Sequence, residues 1–77
     1  MNRNRRKQLV KALGQAEELK DTIETLRNEE QECFDNLPES LQYSERGDTM
    51  QEIANSLDYA VSNLEEAIDN LNEALER

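Results

Sequence analysis

The stretch Met50-Gln-Glu-Ile53-Ala54-Asn-Ser-Leu57-Asp-Tyr-Ala60-Val61-Ser-Asn-Leu64-Glu-Glu-Ala67-Ile68-Asp-Asn-Leu71-Asn-Glu-Ala74-Leu75-Glu-Arg77 decides the fold, because its apolar residues recur every seven positions. With Met50, Leu57, Leu64 and Leu71 as position a, position d is Ile53, Ala60, Ala67 and Ala74, and position e is Ala54, Val61, Ile68 and Leu75. On a helix these three columns form one apolar stripe about 100° wide, broader than the a/d seam of a two-stranded coiled coil. A single partner helix therefore leaves part of the stripe uncovered. The small d residues, flanked at g by Ser56, Asn63 and Asn70, admit a neighbouring backbone closely, while the bulky e column faces a different neighbour. Positions b, c and f carry most of the acids, including Asp58, Glu65, Glu66, Asp69, Glu73 and Glu76, and form the solvated face.

The N-terminal half carries the same phase less strictly. Taking Leu9 as a, the series Leu9, Ala12, Ala16, Leu19, Ile23, Leu26, Glu30, Cys33, Leu37 alternates steps of three and four, with Leu13 and Phe34 widening the stripe at its ends. Lys20 and Arg27 fall at e, where long stems cover apolar surface while their charges reach water. Glu30 interrupts the seam, marking either a divergence of the helices or a place beside a cation. Between the halves, Pro38 disfavours helix at Leu37 but suits a first helical turn. The spacing predicts a first helix over 3–34, a connector over 35–47 with a short helical turn near 38–43, and a second long helix over 48–76. Asp48 with Gln51, or Thr49 with Glu52, forms a capping box for that helix, while Ser44 caps a longer version that tolerates Gly47. The expected fold is all-α: a single domain, 1–77, built as an antiparallel, coiled-coil-like two-helix hairpin.

At 77 residues the chain is short of a self-sufficient core, since below about 80 residues a single core rarely supplies more than roughly 3–5 kcal/mol. One Cys and no His exclude an internal disulfide and an ordinary zinc site, so self-association is the remaining means of support. A two-fold dimer forming a four-helix bundle is the simplest version. The expected hairpin and oligomer core is Leu19, Ile23, Leu26, Ile53, Leu57, Val61, Leu64, Ile68, Leu71 and Leu75. Cys33, at d, reads as a core thiol with no His to activate it. No run approaches the roughly 18 apolar residues of a membrane span, and the basic N-terminal residues lead into Leu9-Val-Lys-Ala-Leu-Gly-Gln15 and not into an apolar signal core. Expected, then, are a cytoplasmic location and no membrane partner.

Charge is unevenly placed. Residues 1–12 hold Arg3, Arg5, Arg6, Lys7 and Lys11 with no acid, whereas from Glu17 onward all 18 acids face only Lys20, Arg27, Arg46 and Arg77. Such a surface repels phosphate, so direct nucleic-acid binding is not expected, and it attracts basic protein surfaces. The basic cluster has three readings, the last of them a disordered arm. In a hairpin it lies beside the acidic end of the second long helix and is neutralised there; alternatively Arg3, Arg5, Arg6 and Lys7, gathered from several chains, hold an anionic ligand. No Gly-rich phosphate loop, calcium loop or Ser/His/Asp set is present. Glu17 with Glu24, and Glu66 with Glu73, share helix faces as catalytic carboxylates do, but columns of solvated acid account for them. The chain is expected to be no enzyme and to hold no cofactor or metal.

The segment Phe34-Asp-Asn-Leu-Pro-Glu-Ser-Leu-Gln-Tyr-Ser-Glu-Arg-Gly47, followed by acidic Leu-x-x-Ala-Ile/Val/Leu heptads, resembles small, largely uncharacterised proteins encoded by bacteriophages and prophages. In those proteins a charged first helix leads to an Asp-Asn-x-Pro-Glu connector and a Ser-Glu-Arg-Gly segment before the heptads. The resemblance implies a phage setting, a bacterial host cell and no particular site. Phages use small proteins to block defence or redirect host machinery by binding host proteins. The expected function is thus a non-catalytic module that inhibits or modulates a basic host protein through Asp58, Tyr59, Glu65, Glu66, Asp69 and Glu73, in one version as a nucleic-acid mimic. The alternatives are sequestration of an anionic nucleotide by the Arg/Lys cluster, and a structural or assembly role.

Overall fold

Arg3 opens the first helix and Glu76 closes the last. The computed structural model describes residues 1–77 as α1 (Arg3–Asp35), α2 (Glu39–Gln42) and α3 (Glu45–Glu76). α1 and α3 run antiparallel in a rod whose Cα extents are 58 × 14 × 13 Å. Three cross-hairpin contacts fix the register: Lys20 with Glu65, Arg27 with Asp58, and Gln31 with Gln51. No helix is long and apolar enough to cross a membrane.

The helix ends follow from local chemistry. Asn2 caps α1, its side chain accepting the Arg5 N–H at 2.8 Å. At the other end the Gln42 side-chain amide donates to the carbonyls of Phe34, Asp35 and Leu37 at 3.3, 3.4 and 3.3 Å, tying α2 to the C-terminus of α1, where the Phe34 carbonyl also accepts the Leu37 N–H. α3 starts at Glu45, three residues earlier than the sequence boundary of 48, because Ser44 is the cap and not Asp48 or Thr49. The Ser44 Oγ accepts the Gly47 N–H at 3.3 Å. Gly47 makes this start possible through its missing side chain: a Cβ there would stand 2.6 Å from the Leu41 carbonyl oxygen and 2.7 Å from the Gln42 carbonyl carbon, and closer still to the Gln42 carbonyl oxygen. The short α2 lies directly against the first turn of α3.

The seam between the helices uses columns a and e. Leu9, Leu13, Ala16, Ile23 and Phe34 of α1 are half-buried, as are Met50, Leu57, Val61, Leu64, Ile68, Leu71 and Leu75 of α3. Ala54, at e, is 1% exposed, and with Gly47 it is one of only two buried residues. The e column wins over d because in α3 it is the bulkier of the two, so turning e inward buries more apolar area. Three residues of the expected hairpin and oligomer core are therefore not covered within the single chain: Leu19, Leu26 and Ile53, at 49%, 50% and 43% exposure. Cys33, read as a core thiol, is exposed for the same reason. Glu30 makes no ion pair; at that level the seam turns polar, with the Gln51 side-chain amide donating to Gln31 Oε1 at 3.2 Å.

Helices of one hand running in opposite directions place equivalent columns on the same side of the pair. The b columns of α1 and α3 thus share one broad face with the e-position cations, and the d columns share the opposite one. The contacts confirm the first half of this: Lys20 and Arg27, at e, pair with Glu65 and Asp58, at b. Leu19, Leu26 and Cys33 consequently stand on the same side as Ile53, Ala60 and Ala67.

Candidate partner-binding surfaces

The acids singled out from the sequence separate into two groups. On the charged face, Arg27 Nε lies 2.7 Å from Asp58 Oδ1 without hydrogen-bonding to it, and a terminal guanidinium nitrogen donates to Oδ2 at 3.3 Å, an ion pair held by one hydrogen bond. Lys20 Nζ stands 3.9 Å from both Glu65 and Glu24. Asp58 and Glu65 thus each have a cation of the chain beside them, while their side chains stay 51% and 54% exposed.

Columns c and f of α3 lie beyond the reach of α1. Tyr59, 73% exposed, is one heptad before Glu66, which is one heptad before Glu73, so the three lie in one column about 10 Å apart at 1.5 Å rise per residue. Asp69 lies beside them, three residues after Glu66 and four before Glu73. Glu73 is 3.1 Å from the Arg77 guanidinium; Glu66 and Asp69 have no ion-pair partner. The result is a ridge of acid with one aromatic along the outer edge of α3, held straight by a helix packed along its full length. What the sequence did not show was that Asp58 and Glu65 also stand beside cations of α1. Lys20 and Arg27 at e were the available signal, and they acquire that meaning only once the register across the connector is known.

The basic end is built differently from the expected neutralisation of carboxylates. The Arg6 guanidinium donates to the Leu75 carbonyl, one of the groups left without a partner at the C-terminus of α3. Arg3, Arg5 and Lys7 make no ion pair. Arg3, Arg6 and Lys7 line a shallow, open concavity with Val10; Arg5 is not part of it. No group of three or more Cys, Asp or Glu side chains is placed to hold a metal. Comparison with protein-family models, with curated proteins and with solved structures gives no match.

Proposed function

We propose that the protein is a non-catalytic binding module that self-associates and presents the ridge of Tyr59, Glu66, Asp69 and Glu73 to a basic surface on another protein. In the phage setting that the connector motif implies, the partner is a host protein whose activity the module blocks or modulates, a defence protein being the kind of target small phage proteins take. The observation that carries the reading is the unpaired acid of Glu66 and Asp69 on a rigid rod, next to an exposed aromatic of the type enriched at contact surfaces. Where the target's basic surface is a nucleic-acid site, the carboxylate row takes the place of a phosphate row and binding excludes DNA or RNA. Capture by the intact protein from nuclease-treated bacterial lysate, read by mass spectrometry, tests this. One enriched protein that a Glu66→Lys/Asp69→Lys variant fails to retain supports the reading, and equal retention by that variant rejects it.

A second reading has its own observation, the concavity of Arg3, Arg6, Lys7 and Val10. Its chemistry suits an anionic nucleotide held by guanidinium and ammonium groups. Isothermal titration with cyclic nucleotides checks it, using Arg3→Ala/Lys7→Ala so that the Arg6 contact to Leu75 is left in place. Unchanged affinity in that variant removes the site.

A further inference from the structure

The face formed by the two d columns differs in chemistry from the rest of the molecule. The chain has 27 charged residues, 9 basic and 18 acidic, yet in the d and g columns from Ala12 to Cys33 and from Thr49 to Ala74 the single charged residue is Glu29. This face also displays Leu19, Leu26 and Ile53, each more than two-fifths exposed. We propose that it is covered by a second copy of this chain, the two copies related by a two-fold axis parallel to the rod, so that α1 of each lies along α3 of the other. The inference rests on the self-association named in the proposed function and is independent of what the acidic ridge binds.

Three observations select this occupant. First, two chains of net charge −9 can meet closely only where acid is absent, and the interfaces of stable complexes are depleted of charge at their centre. A basic partner drawn by the acid of this protein would find no attraction here. Second, the face has enough area. From Ala12 to Cys33 it runs about 30 Å, and two helices side by side are about 20 Å wide, giving roughly 1,200 Å² buried in a dimer, at the lower bound for a stable interface. Third, the face is complementary to itself. The contacts of Lys20 with Glu65 and Arg27 with Asp58 put Leu19 level with Ala67 and Leu26 level with Ala60. Rotation about an axis along the rod preserves these levels and exchanges the helices. Each Leu then meets an Ala across the interface, Leu19 on the partner's Ala67 and Leu26 on the partner's Ala60. An axis across the rod would set α1 on α1, stacking large residues on large and leaving Ala opposite Ala with a gap, which costs packing energy. The exposed thiol of Cys33 falls inside the proposed interface, level with Ile53.

Light scattering after size exclusion at about 100 µM should give twice the chain mass of 8.9 kDa, and a monomer at that concentration overturns the proposal. Raising salt should tighten the dimer by screening like charge, the opposite sign from binding through the acidic ridge, so failure of one reading is distinguishable from failure of the other. Leu26→Glu should give a helical monomer; a dimer unaffected by it places the contact elsewhere. Should that variant unfold, the wild type decides: Cys33 alkylation should slow about ten-fold between dilute and concentrated protein, and a concentration-independent rate contradicts a covered face. The arrangement is tested by mixing Leu19→Lys with Ala67→Glu chains and counting species by native mass spectrometry. Heterodimer in about ten-fold excess over either homodimer is expected, since only the mixed pair sets Lys against Glu. A statistical distribution rules out the axis along the rod.

Discussion

Replacing Gly47 by Ala inverts the usual effect of that substitution. In an exposed helix interior Ala is favoured over Gly by about 0.5–1 kcal/mol. Gly47 lies in the first turn of α3, where a Cβ would stand 2.6 Å from the Leu41 oxygen and 2.7 Å from the Gln42 carbonyl carbon, both backbone atoms of α2 and its end. Separations of that size are relieved only by moving α2 away, and overpacking of this kind costs about 1–3 kcal/mol. Moving α2 also disturbs two sets of hydrogen bonds: Ser44 Oγ accepting the Gly47 N–H, and the three that Gln42 donates to the end of α1. Loss of a cap costs about 1 kcal/mol, so after the gain in helix propensity the net destabilisation is about 2 kcal/mol. Gly14, in the middle of α1 with nothing within 4 Å of its Cβ position, is the internal control. Urea unfolding followed by far-ultraviolet circular dichroism, at one fixed protein concentration, should lower the midpoint for Gly47→Ala and raise it for Gly14→Ala. A Gly47→Ala protein as stable as the wild type would refute the tight α2–α3 approach on which the connector depends.

Other expectations follow from the same geometry. Gln42→Ala removes the bonds to Phe34, Asp35 and Leu37 and should cost about 1–2 kcal/mol in the same urea assay, with faster hydrogen exchange at the end of α1. Asp58→Asn weakens the ion pair with Arg27; because both partners are partly exposed, the loss should be under about 1 kcal/mol and should shrink in molar salt, whereas a larger, salt-independent loss would show a role in packing. Arg6→Ala leaves the Leu75 carbonyl without its partner and should fray the final turn of α3 at a cost of about 0.5–1 kcal/mol, read as exchange confined to that turn. Uniform exchange across both helices would contradict that local role.

Much of this architecture is legible in the heptads. The stripe of a, d and e columns predicts a helix pair, and the structure is all-helical, with its two long helices antiparallel. What could not be read was which two of three apolar columns form the seam, because a, d and e all lie within one stripe and the choice depends on the partner's side chains. That ambiguity is why Leu19, Leu26, Ile53 and Cys33 are exposed in the single chain. The start of α3 was open for a different reason: Ser44, Asp48 and Thr49 are all competent caps, and the choice depends on Gly47 fitting against backbone that is distant in its chemistry but near in space. At the candidate surface, Tyr59, Glu66, Asp69 and Glu73 share an edge as the repeat implies, while Asp58 and Glu65 have beside them cations more than thirty residues away in sequence. Periodicity specifies the face a residue occupies; it does not specify what stands across from it.

The central claim is that binding is driven by the free acid of the α3 edge. Its most direct test is the affinity of the captured protein for this chain at low and at high salt, measured for the wild type and for Glu66→Lys by titration with the dimer mass monitored in parallel. The account predicts that affinity falls at least about ten-fold on raising salt from 0.05 to about 0.5 M, that Glu66→Lys produces a comparable fall at low salt, and that the dimer persists throughout. Affinity indifferent to both salt and Glu66→Lys would contradict it.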